Sequence, residues 1–357
     1  MMTERDHIQS LSVLLLRPSD ANEIAQRLAS GTEEERAAFL KLASAHHVVL
    51  RALSPLSQAA DTINQETLAD WARQAMVAEQ SDIDNSLQYL NAICKALENK
   101  GCPTTVIKSL DHTPDLGNDL DLYTTRDERP VIDVMVNEFQ AHVEDRSWGD
   151  RLAGKWNFVV PGLNKTIEMH TKRLGQTGEH TELARRFVSR RTTKTVGGFT
   201  FFIPAAEERV VAATLQRMYR HFYFRLCDIV NTAQMVEGGE VDFVELRRAT
   251  RPAGIWPGVA TFLNIVSDYV QQYRGMPVQL PTEVKSAAVF GGNKLAVRNR
   301  FLRLPIVPQS AQLYGLQMVT TAAKRDFPAA FRLSLLPPLA SAARIAVKVI
   351  GTEKAVW

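Results

Sequence analysis

A short alternating segment, DLDLYTT at residues 119–125, constrains the fold more than any other part of the sequence. Side chains two positions apart on a β-strand point to the same face, so Asp119 and Asp121 are predicted to project together. Leu120 and Leu122 then face the opposite way, into a core. Two carboxylates at this spacing cannot both stay ionised at low cost unless a cation lies nearby. The segment therefore predicts a strand in a sheet with one buried face and one acidic face.

The sequence on either side of this strand predicts an α+β chain with three regions. Residues 1–100 are predicted to form an N-terminal helical region, because apolar residues recur there at three- and four-residue spacing. Residues 101–204 are predicted to form a core sheet, because short β-branched runs alternate there with turn signals and one helix. Residues 205–357 are predicted to form a C-terminal helical region. This order indicates a small mixed sheet with flanking helices.

The same periodicities predict the individual elements. The predicted helices span residues 19–30, 32–53, 66–99, 130–142, 182–191 and 206–236, with further helices within 241–275 and 311–325. The predicted strands span residues 104–110, 119–125, 156–161 and 166–172, followed by a hairpin arm over 195–204. The tail over 327–351 is predicted to end in an amphipathic helix that carries Arg344 and Lys348. Packing on the body of the protein is the favoured interpretation, and binding to a membrane surface is the alternative.

Composition and charge exclude several classes of protein. The 357 residues include 42 Lys and Arg against 39 Asp and Glu, and the net charge of +3 is small for a strongly basic nucleic-acid binder. The three cysteines form no C-x-x-C pair, which excludes the usual zinc-finger and zinc-ribbon spacings. The first residues lack a signal-peptide pattern, and no run approaches the roughly 20 apolar residues of a membrane span. We therefore expect a cytoplasmic protein.

A third carboxylate is available on a nearby predicted strand. Glu168 lies in TIEMHTK, and His170 shares its face. Carboxylate oxygens are the hard ligands that suit Mg²⁺, with Mn²⁺ as the alternative, and Mg²⁺ commonly carries the phosphates of a substrate. The competing interpretation is a pair of solvated strand-end aspartates, because D-x-D alone is common.

Four motifs in a fixed order make the pattern more specific than single residues do. They are VIKSL (106–110), DLDLY (119–123), IEMH (167–170) and RHFYFRLCDI (220–229). This ordered set resembles a bacterial family of nucleotidyltransferases in the superfamily typified by DNA polymerase β, over about residues 30–250. The chain departs from the family pattern at Ser109, where a glycine is expected, and in DHTPDLGN, which lacks an arginine.

The resemblance implies a polymerase β-like nucleotidyltransferase core that moves a nucleoside monophosphate from an NTP to a hydroxyl, with pyrophosphate leaving. The residues implied as catalytic and metal-binding are Asp119, Asp121 and Glu168, and those implied as nucleotide- or phosphate-binding are Lys108, Ser109, His170 and Arg225. The acceptor stays open between a small molecule, a protein hydroxyl and a tRNA end. The net charge does not favour a large nucleic-acid partner.

Several alternatives stay open at this stage. The departures at Ser109 and at the missing arginine favour a non-catalytic nucleotide-binding or interaction protein that retains the fold. An all-helical module with a chance D-x-D is a third hypothesis. His170 either orients Glu168, touches the substrate, or is a structural histidine. Arg225 is expected to pair with Asp228 three positions along a helix, with a role in shaping the nucleotide cleft as the alternative.

Two basic segments carry a further hypothesis. Arg217, Arg220 and His221 are interleaved with aromatic residues such as Tyr223, a mixture that can stack a base or bind RNA. Core packing of an amphipathic helix is the commoner explanation. The run ARRFVSRRTTK (184–194) contains five basic residues that could guide a polyanionic acceptor, although a solvated basic face is the simpler interpretation.

Overall fold

The computed structural model describes residues 2–339, 341 and 342. The α-helices of that part are α1 (Glu4–Leu16), α2 (Ala21–Ala29), α3 (Glu33–Ala45), α4 (Val49–Thr62), α5 (Glu66–Asn99), α6 (Glu128–Phe139), α7 (Trp148–Ala153), α8 (Glu182–Ser189), α9 (Ala206–Gln216), α10 (Leu226–Glu237), α11 (Phe243–Thr250), α12 (Trp256–Arg274), α13 (Thr282–Ala287), α14 (Ala311–Ala323) and α15 (Phe327–Ser334). Within the described residues, none of these helices combines the length and the apolarity that a membrane crossing requires. The predicted tail positions Arg344 and Lys348 lie outside the described residues.

The strands of the described part form three sheets. They are β1 (Thr104–Val106), β2 (Asp119–Thr124), β3 (His142–Val143), β4 (Lys155–Val159), β5 (Thr166–Thr171), β6 (Arg191–Val196), β7 (Phe199–Pro204), β8 (Tyr223–Phe224), β9 (Ala296–Arg298) and β10 (Phe301–Arg303). The largest sheet has the order β1-β2-β5-β4-β3, and its β2–β5 pair is parallel while the other pairs are antiparallel. The predicted α+β class, with a small mixed sheet and flanking helices, is confirmed.

Strand β2 lies between β1 and β5 and defines the two faces of the sheet. Leu120 and Leu122 are fully buried on one face, as the alternation predicts. They belong to a core that includes Leu90 of α5 and Val131 of α6. The opposite face carries the two aspartates, and the ring of Tyr123 on that face is buried in a second core.

The second core is built from both ends of the chain. It contains residues of α1 to α4 together with residues of α9 to α12. Ser12 of α1 and Tyr269 of α12 join these two groups directly through a 2.7 Å hydrogen bond between their hydroxyls. Because Tyr123 of β2 belongs to the same core, helices from the first and last regions of the sequence lie against the acidic face of the sheet.

Two predicted helices are interrupted. The helix predicted over 32–53 ends at Ala45, where His47 adopts a left-handed conformation with φ of 53°. The helix predicted over 206–236 ends in a π-helical turn at Arg217–His221, after which Phe222 has φ of 55°. Left-handed residues that end helices are usually glycine, so neither break carries the ordinary sequence signal. The second break allows β8 to form and to pair with β10.

His46, beside the first break, connects three segments of the chain. Its Nδ1 accepts the backbone N–H of Leu226 at 2.9 Å, and its Nε2 lies 2.7 Å from the carbonyl oxygen of Arg300. In the neutral ring, Nδ1 accepts one hydrogen bond and Nε2 donates the other. A second proton on Nδ1 would point at the N–H of Leu226, which is itself a donor. Burial lowers the pKa of His46 to about 4, and the nearby guanidinium of Arg225 acts in the same direction.

We expect His46 to contribute to acid destabilisation. Its pKa is lower in the folded chain than in the unfolded chain, so the unfolded chain takes up the proton first and stability is lost as the pH falls from about 6.5 towards 4. At pH 4.5 the loss from this residue is about 2–3 kcal/mol. Denaturant unfolding at pH 7.5 and pH 4.5 should show a smaller loss of stability for His46→Gln, which does not titrate, than for the wild type. Equal losses in the two proteins would contradict this assignment.

Candidate functional site

Three of the predicted site residues meet on the acidic face of the sheet. Asp121 of β2 lies directly opposite Glu168 of β5 in the parallel register. The Nε2 atom of His170 lies 2.8 Å from Oε1 of Glu168 and 3.7 Å from Oδ1 of Asp121. All three residues are buried, and one ligand atom from each lies within 4.8 Å of the others. This cluster could hold a metal ion.

Two lysines neutralise part of the charge on this cluster. Nζ of Lys108 forms an ion pair with Asp121, and Nζ of Lys155 lies 2.6 Å from Oε2 of Glu168. Burial alone would raise the pKa of Glu168, but its contacts with His170, Lys155 and Lys108 outweigh burial and hold that pKa well below its usual value. Asp121 and Glu168 are therefore paired with cations of the chain itself.

The donor atoms of this cluster suit a divalent ion. Nε2 of His170 is buried and has no well-aligned hydrogen-bond partner in the described structure, although Glu168 is close to it. This imidazole nitrogen and the two carboxylates together form a set of ligand atoms that a divalent ion can bind. The residues present fit a metal ion, provided that the ammonium groups of Lys108 and Lys155 move away from the carboxylates.

Asp119 occupies a different position from Asp121. It lines the same pocket but is exposed, and it lies outside the three-residue cluster described above. Its removal from bulk water within the pocket, followed by the charges of Asp121 and Glu168, raises its pKa to about 6. Asp119 therefore lies in the field of the other two carboxylates without being one of the cluster.

Ser109 connects the loop after β1 to the strand that carries the aspartates. Its Oγ accepts the N–H of Asp121 at 2.8 Å and donates to the carbonyl oxygen of Asp119 at 3.2 Å. The single hydroxyl proton is thus already donated to β2. Ser109 lines the pocket, and its hydroxyl fixes the backbone between the two aspartates.

A pocket of about 190 Å³ opens in front of the cluster. Its lining includes three carboxylates, those of Asp119, Asp121 and Glu168, and five cationic side chains, those of Lys108, Lys155, Arg217, Arg220 and Arg225. The carboxylates lie on the sheet, whereas the arginines come from the segment between α9 and α10. A site with carboxylates on one wall and an excess of cations around them suits a polyanion that carries a metal ion.

Three histidines of the pocket are neutral at neutral pH. Burial is the largest cause that lowers the pKa values of His47, His112 and His221 well below the usual range, and nearby arginines lower them further. The rings of His47 and His112 stack at 5.3 Å, and Asn231 hydrogen-bonds Nδ1 of His112 at 2.9 Å. These histidines add hydrogen-bonding groups to the pocket rather than charge.

The predicted pair between Arg225 and Asp228 is replaced by a different one. Nε of Arg217 lies 2.6 Å from Oδ2 of Asp228, and both side chains are almost completely buried. Asp228 meets the backbone of Arg225 instead, because Arg225 precedes α10 and does not lie within a helix. The Asp228 carboxylate accepts the N–H of Arg225 at 2.7 Å, and the backbone N–H of Asp228 donates to the carbonyl oxygen of Arg225 at 3.2 Å. Within the described residues, neither Arg220 nor Arg225 has a carboxylate within 4.0 Å, so two guanidinium groups face the pocket without an ion pair.

The run at residues 184–194 is not a solvated basic face. Arg186 pairs with Glu208 at 2.7 Å, and Arg190 pairs with Glu207 at 2.8 Å. These contacts hold α8 against α9. Most of this basic charge is neutralised within the fold, so the run is a poor candidate for guiding an acceptor.

Sequence reasoning missed Lys155, which no motif marks. Lys155 begins β4 opposite His170 in the antiparallel register, and this pairing brings it to Glu168. Arg217, Arg220 and Tyr223 belong to the basic and aromatic segment for which the sequence favours core packing; all three line the pocket. Comparison with protein-family models, with curated proteins and with solved structures gave no match. The function must therefore be argued from the geometry of this pocket.

Proposed function

We propose that the chain is a metal-dependent nucleotidyltransferase with a polymerase β-like core, which transfers a nucleoside monophosphate from an NTP to a hydroxyl and releases pyrophosphate. One observation carries the proposal. Asp121 and Glu168 stand in register on adjacent parallel strands, beside His170, at one wall of a pocket. The other wall presents Arg220 and Arg225, which form no ion pair with the described part of the chain. An acidic metal site that faces guanidinium groups is the arrangement needed to hold a metal-bound triphosphate.

Each part of the pocket then has a role. Asp121, Glu168 and His170 hold Mg²⁺ or Mn²⁺. The ion, when bound, stabilises the charge on the attacking and leaving oxygens at the α-phosphate. Asp119, in the same pocket, is the further carboxylate available on the acidic wall.

The cationic residues of the pocket bind the phosphates. Arg220 and Arg225, which have no ion-pair partner among the residues that the structure describes, make charge-assisted hydrogen bonds to phosphate oxygens. Lys108 and Lys155 exchange their present carboxylate partners for phosphate oxygens, so that they orient the triphosphate once it is bound. Ser109 keeps the backbone of β2 in place and so fixes the aspartates relative to these cations.

A second candidate is a nucleotide-binding or interaction protein without catalysis. The observation in its favour is that Lys108 and Lys155 already neutralise Asp121 and Glu168. A pocket of this kind binds anions without any metal. The two candidates differ in whether nucleotide binding depends on a divalent ion.

Thermal stabilisation by each NTP, measured without metal, with Mg²⁺ and with Mn²⁺, tests this difference. We expect stabilisation to require a metal and to be greater with Mn²⁺, because an imidazole donor suits a transition ion better than Mg²⁺. His170→Gln replaces that nitrogen by a hard oxygen. The ratio of the affinity for Mn²⁺ to the affinity for Mg²⁺ should therefore fall about tenfold. The matched control is His142→Gln on the exposed edge strand β3, which should leave the preference unchanged.

Three results would count against the proposal. Stabilisation by NTP of equal size with and without metal would favour the non-catalytic candidate. Absence of stabilisation by any NTP would contradict nucleotide binding altogether. An unchanged metal preference in His170→Gln would remove His170 from the set of ligands.

A further inference from the structure

The three-stranded sheet formed by β8, β10 and β9 has one face that is both basic and aromatic. Arg303 lies opposite Tyr223 in the register, and Phe301 lies opposite Arg298. Because alternate residues of a strand share a face, these four side chains lie on the same side of the sheet. We call this surface, formed by Tyr223, Arg298, Phe301 and Arg303, the hairpin face. The other side carries Val297, Leu302 and Phe224 and packs into the core.

Apart from Tyr223, the residues of the hairpin face lie in a stretch of sequence without acidic residues. Residues 284–325 contain seven lysines and arginines and neither aspartate nor glutamate. Nε of Arg303 donates to the carbonyl oxygen of Arg298, and no carboxylate among the described residues lies within 4.0 Å of the guanidinium groups of Arg298, Arg300 or Arg303. The carboxylate of Glu4 reaches this loop through the backbone, where it accepts the N–H of Arg300 at 3.1 Å. The charge of the arginine side chains is therefore available to a ligand.

The turn that joins β9 to β10 places an arginine where the backbone favours glycine. Asn299 and Arg300 form a two-residue connection, and both have positive φ, 49° and 66°. Turns of this kind strongly prefer Asn-Gly, because a left-handed conformation is unfavourable for a residue with a side chain. Arg298, Asn299 and Arg300 are all exposed. The Arg300 side chain is therefore presented to solvent from a backbone conformation that residues with a side chain rarely adopt.

The hairpin face leads directly into the pocket. The rings of Tyr223 and Phe301 stack with centroids 4.3 Å apart, and Tyr223 is also part of the pocket lining. The guanidinium carbon of Arg303 lies 5.4 Å from the centroid of the Tyr223 ring, and that of Arg225 lies 5.8 Å from the centroid of the Phe301 ring. Aromatic rings and guanidinium groups thus form one surface from the tip of the hairpin to the cluster of carboxylates.

We propose that the hairpin face binds a single-stranded polynucleotide whose 3′ hydroxyl is the acceptor of the transfer. Rings that stack on bases, interleaved with arginines that contact backbone phosphates, are the means by which proteins bind single strands without reading sequence. The arginines lie beside aromatic rings, whose faces can stack on bases, and this combination favours a nucleic acid over an anionic membrane surface. The identity of the acceptor rests on the proposed function, whereas binding of the strand does not.

The reaction with this acceptor balances without any further reagent. The 3′ oxygen of the strand forms a bond to the α-phosphorus of the NTP. The bond from that phosphorus to the oxygen that bridges to the β-phosphorus breaks, and pyrophosphate leaves with the electron pair. The hydroxyl proton passes to water, and the strand becomes one nucleotide longer.

The test is the binding of a fluorescein-labelled oligoribonucleotide of about 20 nucleotides, measured by anisotropy without NTP or metal over a series of salt concentrations. The variant is Arg298→Ala with Arg300→Gly, in which glycine suits the turn, so the melting temperature should not fall. We expect the variant to bind the RNA about tenfold more weakly than the wild type. The slope of the logarithm of the binding constant against the logarithm of the salt concentration should become less steep by about 1.4, the value for two phosphate contacts on a single strand. The matched control, Lys95→Ala with Arg129→Ala, removes two exposed charges from α5 and α6 on the leucine side of the sheet and should bind like the wild type.

Several outcomes would overturn the inference. Equal losses in the hairpin variant and the control would show that only net charge matters. Competition by polyglutamate as effective as competition by unlabelled RNA would show a general polyanion surface. Transfer of nucleotide to another acceptor, with no RNA bound at the hairpin, would refute this inference while leaving the proposed function intact. RNA binding that depends on the hairpin, without any binding of NTP, would refute the proposed function and leave the hairpin face as an RNA-binding surface.

Discussion

Replacing Asp121 by asparagine is expected to lower the rate of nucleotide transfer by about a thousandfold or more. Asp121 lies opposite Glu168 in the register of the sheet and belongs to the cluster that could hold a metal ion. Asparagine has nearly the same shape but carries no charge, so the cluster loses one of its two carboxylates. Its affinity for a divalent ion should therefore fall steeply, and with it the stabilisation of the transferring phosphate.

The measurement is the steady-state rate of label transfer from an NTP labelled at the α-phosphate, with circular dichroism to verify folding. Asp133→Asn is the matched control, because Asp133 is an exposed aspartate on α6, on the leucine side of the sheet. It should retain the wild-type rate. A folded Asp121→Asn protein with a rate within a few-fold of the wild type would exclude Asp121 from the catalytic machinery.

Replacing Asp228 by asparagine is expected to produce the largest loss of stability among single substitutions at the pocket, about 3–5 kcal/mol. Only 1% of the Arg217 side chain and 4% of the Asp228 side chain are exposed, and Nε of Arg217 lies 2.6 Å from Oδ2 of Asp228. Removing the carboxylate leaves a buried guanidinium without a counter-charge. The same carboxylate accepts the N–H of Arg225 at the start of α10, so the helix also loses a hydrogen bond there.

Denaturant unfolding at pH 7 measures this loss of stability. The control is Asp70→Asn, which removes the carboxylate from an exposed pair with Arg73 and should leave stability essentially unchanged. The double variant Arg217→Met with Asp228→Leu removes both charges and should recover much of the loss. If Asp228→Asn were no more destabilising than Asp70→Asn, the buried pair would not be the element that fixes the segment between α9 and α10.

The sequence was sufficient for those parts of the site that depend on local alternation. Asp119 and Asp121 lie on one face of β2 because a strand has a period of two, and Leu120 and Leu122, which alternate with them, are buried for the same reason. The β-branched run that became β5 brought Glu168 and His170 to one face in the same way. The prediction that these residues converge with Asp121 also needed the order of strands, which the resemblance to a nucleotidyltransferase family supplied.

The remaining parts depend on contacts between distant residues. Lys155 reaches Glu168 through the antiparallel register of β4 with β5, which no local pattern specifies. Arg217 was available as a partner for Asp228 only because the helix predicted over 206–236 is broken at Phe222, a residue that ordinarily avoids the left-handed conformation. The hairpin face needed the pairing of β8 with β10, two strands separated by about 80 residues.

The central claim is that this pocket transfers a nucleotide and not a phosphate group, and the position of the label in the NTP tests it most directly. The oligoribonucleotide with a free 3′ hydroxyl is incubated with Mn²⁺ and with an NTP labelled at either the α- or the γ-phosphate. The account predicts that label from the α-phosphate enters the strand, that label from the γ-phosphate leaves as pyrophosphate, and that Asp121→Asn abolishes the transfer. Label from the γ-phosphate in the strand, or no incorporation from either position into the strand, the protein or a pool of small hydroxyl acceptors, would contradict it.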